Sequence, residues 1–135
     1  MNRKHPKPSI RKIEGKRRLV VRFLVDSGAN VNCFRSQRGL TNLHSSTVSV
    51  QGATGSSTGL EGQASGYLVD HEGKMATPLA FGRSRVIGTL DILSVSHFVD
   101  SGFTFHFAPS GAYMMSPDLK RVDLQRDDTT SMWYL

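Results

Sequence analysis

Asp26, Ser27, Gly28 and Ala29 follow directly on the apolar run Leu19-Val20-Val21-Arg22-Phe23-Leu24-Val25. An acid at the end of a buried strand lies close to the core, where a carboxylate is costly unless something pairs or uses it. Gly28 lets the backbone turn tightly, Ala29 leaves room beside it, and the Ser27 hydroxyl can bond across to a partner backbone. Those residue types in that order suit a loop that meets a second copy of itself. Two carboxylates held about 3 Å apart cannot both ionise, so they share one proton and titrate as a pair. The ionised member takes a proton from a trapped water while the protonated member polarises a peptide carbonyl. That chemistry is peptide hydrolysis, and it calls for no cofactor and no metal. The plain alternative for Asp26 is an Asx-turn at a strand end.

Other residues with reactive side chains offer less. Asp100-Ser101-Gly102 repeats the D-S-G triplet but is followed by Phe103, and its place suits the end of a helix, with Gly102 as the cap. His97 and His106 have no Cys, His or carboxylate at zinc-site spacing around them, so they read as packing or surface residues. Cys33, the only cysteine, reads as a small buried hydrophobe rather than the nucleophile of a Cys-His hydrolase. Gly52 to Gly59 is rich in glycine but lacks the Lys-Ser/Thr of a phosphate-binding loop.

The elements that must position Asp26 are short and strand-like. Leu19–Val25 reads as one buried strand, Val31–Phe34 as a short strand or turn, and Ser36–Ser46 as loop. Thr47–Gln51 alternates with period two, and the glycines at 52, 55, 59, 62 and 66 predict a mobile hairpin. Strands are expected again at Tyr67–Asp70, Met75–Phe81, Phe103–Phe107, Ala112–Met115 and Met132–Leu135. Ile92, Val95 and Val99 fit i, i+3, i+7, which predicts one short helix near 91–100. Short strands with turn signals about every ten residues indicate an all-β fold, a small barrel or sandwich.

Composition narrows the class. A chain of 135 residues with eleven aromatics suits one domain with one core. A lone cysteine excludes a disulfide scaffold and a Cys-rich zinc module. No apolar run approaches the ~20 residues of a membrane helix, and no apolar stretch follows the basic N-terminus as a secretory signal would require. An intracellular chain without membrane contact is expected. Residues 1–18 hold eight Lys/Arg and one Glu, whereas the remaining 117 hold nine Lys/Arg and ten Asp/Glu. The basic segment, with Pro6 and Pro8, reads as a disordered tail, either a solvated linker or a weak contact for nucleic acid through phosphate neutralisation.

Phe23-Leu24-Val25-Asp26-Ser27-Gly28-Ala29 resembles the active-site loop of retropepsin-type aspartic proteases. Asp91 to Phe107 is similar to the stretch N-L-L-S-V-x-x-L-x-x-x-G-x-x-x-x-F of the proteases of copia-type LTR retrotransposons. Ser110–Met114 and Trp133-Tyr134-Leu135 follow that family's order, and Val86-Ile87-Gly88 also resembles the I-[IL]-G-x-D segment of retropepsins at large. The resemblance spans residues 19–135 in element order. It implies a closed β-barrel homodimer with one short helix per subunit and a flap at about 47–69. Asp26 would be the catalytic carboxylate, Ser27 the grip across the dimer, and Gly28 and Ala29 the loop that contacts substrate backbone. Val50, Gln51, Gly52, Ala53, Thr54 and Gly55 would cover the bound peptide. The substrate would be a polypeptide, the chain's own retroelement polyprotein, cut in the cytoplasm or within virus-like particles. The alternative is a non-catalytic domain of the same fold that dimerises or binds peptides, with the basic tail touching nucleic acid.

Overall fold

Glu14 and Gly15 take left-handed φ values of 50° and 83°, as both central residues of a tight hairpin turn must. Around them Ser9–Ile13 (β1) and Lys16–Val20 (β2) pair as an antiparallel hairpin. Residues 9–18 are therefore part of the fold and not the disordered tail their charge suggests. Three contacts hold them: Ile13 is buried, the Glu14 carboxylate accepts the Met75 amide at 2.7 Å, and Leu19 packs beside Gly39. This computed structural model describes residues 7–45, 59–70, 72–88, 90–129 and 131–135.

The expected strand over 19–25 is broken. Residues 21–23 lie between β2 and Leu24–Asp26 (β3), where the Phe23 carbonyl accepts the Leu135 amide. Asn32–Phe34 (β4), Thr41–Ser45 (β5), Leu60–Val69 (β6) and Met75–Val86 (β7) follow. Then come Ile92–Ser94 (β8), the helix Val95–Asp100 (α1), Thr104–Ala108 (β9), Gly111–Met115 (β10), Arg121–Asp127 (β11) and Met132–Tyr134 (β12). Among the described residues the large sheet runs β5-β6-β7-β4-β8-β3-β12-β11-β10-β9. It is open, with β5 and β9 at its two edges, so the expected closed barrel is not found. No helix among the described residues is long and apolar enough to cross a membrane.

Three sequence expectations change with this topology. The helix begins at Val95, not Asp91, because Ile92 and Leu93 lie in a strand between two neighbours and are both buried. Residues 41–45, read as loop, form an edge strand held by its pairing to β6. The glycine-rich stretch is already strand from Leu60, so much of the expected flap is an arm of a long hairpin.

That hairpin contains a phase change. Ala64 pairs with Gly82 and Ser65 with Ala80, leaving Phe81 as an extra residue on β7. Gly82 takes φ 59° there. Before this bulge the buried residues of β7 are Thr77, Leu79 and Phe81, and after it Ser84, Arg85 and Val86. The inserted residue shifts the alternation by one, so that Leu79 and Phe81 before the bulge and Val86 after it all reach the same apolar core.

At the outer end of the hairpin, Glu61 on β6 is buried between His44 on β5 and Arg83 on β7. His44 Nε2 lies 2.9 Å from Glu61 Oε1, and Arg83 donates to both Glu61 oxygens. The Asn42 carbonyl and then Glu61 hold the His44 pKa above its ordinary value of 6.5. Burial pushes Glu61 up, but its bonds from Arg83 and His44 outweigh that and bring it below 4.5. A raised His stabilises the fold below its unfolded pKa and loses that contribution as pH rises through the folded value. A lowered Glu stabilises above its unfolded pKa and loses this as pH falls. The hairpin end is thus most stable between about pH 4.5 and 6.5. In thermal unfolding, wild type should lose stability from pH 6.5 upward, and His44→Gln should flatten that slope. Parallel profiles for the two proteins would refute the clamp.

Candidate active site

Asp26 ends β3, where it sits opposite Ser94 in a parallel pairing with β8. The chain then turns, and the Gly28 amide donates to Asp26 Oδ1 at 2.8 Å. A Cβ on Gly28 would stand 3.3 Å from that oxygen, a tight contact that glycine avoids. Asp26 is half-buried, and Ser27 and Gly28 are exposed. The carboxylate is fixed by its own loop and open on one side.

Ala29 turns inward and is 1 % exposed, packing with Cys33, Ile87, Leu90 and Ile92. Its carbonyl accepts the Ser94 hydroxyl at 2.8 Å and the Ser96 hydroxyl at 3.4 Å. The Ser94 oxygen also accepts the His97 amide and so caps α1. One side chain thus ties the Asp26 loop to the helix start. Asn32, fully buried on β4, completes the frame. Its Oδ1 accepts the Ser94 amide at 2.7 Å and its Nδ2 donates to the Phe81 carbonyl at 3.3 Å. Four strands converge here, with β3 parallel to β8, β8 antiparallel to β4 and β4 parallel to β7.

Asp91 braces the same frame from below. Its Oδ1 accepts the Arg35 amide at 2.9 Å, and its carbonyl accepts the Leu24 amide. Burial raises the Asp91 pKa, and the Arg35 amide and charge offset this only in part. Asn32, Ser94 and Asp91 were not singled out from the sequence. A polar residue inside the apolar run Val31–Phe34 was the available signal, since a buried amide must find partners.

The competing residues fall where sequence placed them. The Cys33 thiol is fully buried and pushed up to about 11, by burial first and by Asp26, with Arg85 opposing. Burial thus disfavours the thiolate that a nucleophilic cysteine requires. His97 Nε2 contacts the Ala80 carbonyl, and His106 stacks on Tyr113. Among the described residues no cluster of three metal-ligating side chains occurs. Asp100-Ser101-Gly102 ends α1: Gly102 takes φ 93°, its amide bonds to the Val99 carbonyl, and the Phe103 amide bonds to that of Phe98. This pair of bonds is the glycine-dependent helix stop.

Val50, Gln51, Gly52, Ala53, Thr54 and Gly55 lie outside the described residues. The strands leading to and from them, β5 and β6, are paired at Ser45 and Leu60. A cavity of about 520 Å³ opens elsewhere, lined by Phe23, Phe34, Leu68, Leu79, Phe81 and Leu135 among others, and Asp26 is not part of its wall. Comparison with protein families, with curated proteins and with solved structures finds no match for this chain.

Proposed function

We propose that the chain is an aspartic endopeptidase of retropepsin type, working as a homodimer on a polypeptide such as its own polyprotein. The observation that carries this reading is the Asp26 loop. A carboxylate at a strand end is oriented by the Gly28 amide, anchored through Ala29 and Ser94, and left open with Ser27 and Gly28 on the exposed side.

Each subunit brings one Asp26 to a two-fold contact. The ionised carboxylate takes a proton from the water between the pair as the water oxygen attacks the peptide carbonyl carbon. The protonated partner gives its proton to the carbonyl oxygen. The tetrahedral diol then collapses: one of its hydroxyls returns a proton to the now ionised partner, the C–N bond breaks, and the leaving nitrogen takes the proton held by the first carboxyl, which restores the singly protonated dyad. Ser27 ties one loop to the other and Gly28 presents backbone to the substrate, whereas Ala29, expected to share that contact, is buried with its carbonyl bonded to Ser94 and Ser96 and anchors the loop instead.

A dyad split between two chains makes specific activity depend on concentration. Cleavage of a mixed peptide library, per chain, should rise with protein concentration and level off once the chain is dimeric by sedimentation. Activity per chain that stays constant on dilution into the monomeric range would overturn the two-chain dyad. A folded dimer that cuts nothing between acidic and neutral pH would overturn the enzyme.

A further inference from the structure

We propose that the β1–β2 hairpin is a binding ribbon for the phosphodiester backbone of nucleic acid. Its register sets like charges against each other, Arg11 opposite Arg18 and Lys12 opposite Arg17, with Lys16 at the tip. Opposite pairs share a face, and alternate pairs lie on opposite faces. The ribbon is therefore cationic on both sides. Directly opposed like charges destabilise a strand pair, and among the described residues no acid pairs with them. No ion pair reaches Arg11, Lys12, Lys16 or Arg17 among the described residues. The nearby acid, Glu14, is taken by the Met75 amide. Among the described residues Arg11 bonds to the Ser9 hydroxyl and Arg18 to the Ile13 carbonyl.

Some cations of the body do find acids. Lys120 pairs with Asp118, Arg121 with Asp123, and Arg83 with Glu61. Residues 19–135 carry one more acid than base, so a polyanion is drawn to the ribbon and not to the body. Guanidinium groups match phosphate oxygens in a two-pronged fashion that lysine-only patches lack. A two-stranded ribbon is also narrow enough to enter a duplex groove or to lie along a single strand. Ile10 is the one large apolar side chain exposed on the hairpin, too little for insertion into a lipid surface.

The test uses the full chain and a fluorescent 20-nucleotide RNA, with a duplex DNA of equal length as a second arm. If about four phosphates are neutralised, affinity for the single strand should fall about 50-fold between 50 and 200 mM salt. Lys12→Gln/Arg17→Gln should weaken binding on the order of 10-fold at 0.1 M salt and roughly halve the salt slope. Lys120→Gln/Arg121→Gln should change neither. Without nucleic acid at low salt, Lys12→Gln/Arg17→Gln should unfold at a higher temperature than wild type, because a repulsive pair is gone. RNA should raise the wild-type midpoint more than the variant's. Binding that ignores salt, or a double variant that binds as wild type, would overturn the proposal. Polyglutamate or phosphatidylserine vesicles binding as tightly as RNA and DNA would overturn it too.

Discussion

Asp26→Asn should lower peptide cleavage on the order of 10³-fold or more while leaving the protein folded. Acid–base transfer by a positioned side chain contributes about 10²–10⁴ in rate, and the same carboxylate both deprotonates the water and returns the proton. Asparagine keeps the shape and the Oδ1 that accepts the Gly28 amide at 2.8 Å, so the loop should hold. Subunit mixing sharpens the result. After exchange, equal amounts of wild type and variant leave about one quarter of the dimers with two carboxylates, and activity should follow that quarter. Activity at half would mean that each chain works alone. Cleavage that survives the substitution would remove Asp26 from the chemistry, whatever the oligomeric state.

The loop was legible because its chemistry is local. An apolar strand, an acid, a small polar residue and a glycine state where the chain turns and what it carries. The frame behind the loop was less legible because its partners are distant. Asn32 acts through Ser94 and Phe81, and sequence spacing does not pair those positions. The hairpin β1–β2 was missed for a different reason. Eight cations in eighteen residues carry the composition of a disordered segment, yet the turn at Glu14-Gly15, the buried Ile13 and the bond from the Met75 amide to Glu14 seat residues 9–20 on the fold. β5 offers no buried face at all, with all five residues exposed, so no apolar alternation marks it in the sequence. β11 did carry a signal, since Val122 and Leu124 alternate with exposed charge, and it was passed over. Ile92 and Leu93 misled because a strand buried on both faces and a helix start look alike over three residues.

Phe98→Ala should be the most damaging core substitution on the helix, costing about 3–5 kcal/mol. Phe98 is 1 % exposed and is the buried residue of α1. Its ring meets Phe81 and Phe103 edge to face, each at 5.4 Å between centroids. Phe81 in turn stacks on Phe23 at 5.1 Å and meets Phe34 at 5.4 Å. The aromatic chain therefore runs from the helix, through the bulge of β7, to the residue just before β3. Removing Phe98 opens a cavity at one end of it and strips the helix stop of its apolar contact with Phe103. A six-residue helix has little stability of its own, so α1 should loosen and Ser94 with it. Val99→Ala serves as the control, because that neighbour is 48 % exposed and should stay within about 0.5 kcal/mol of wild type. Chemical unfolding of the two variants measures both. A Phe98→Ala cost no larger than that of Val99→Ala would show that the helix is held by its backbone bonds and caps, and that the aromatic chain does not couple it to the Asp26 strand.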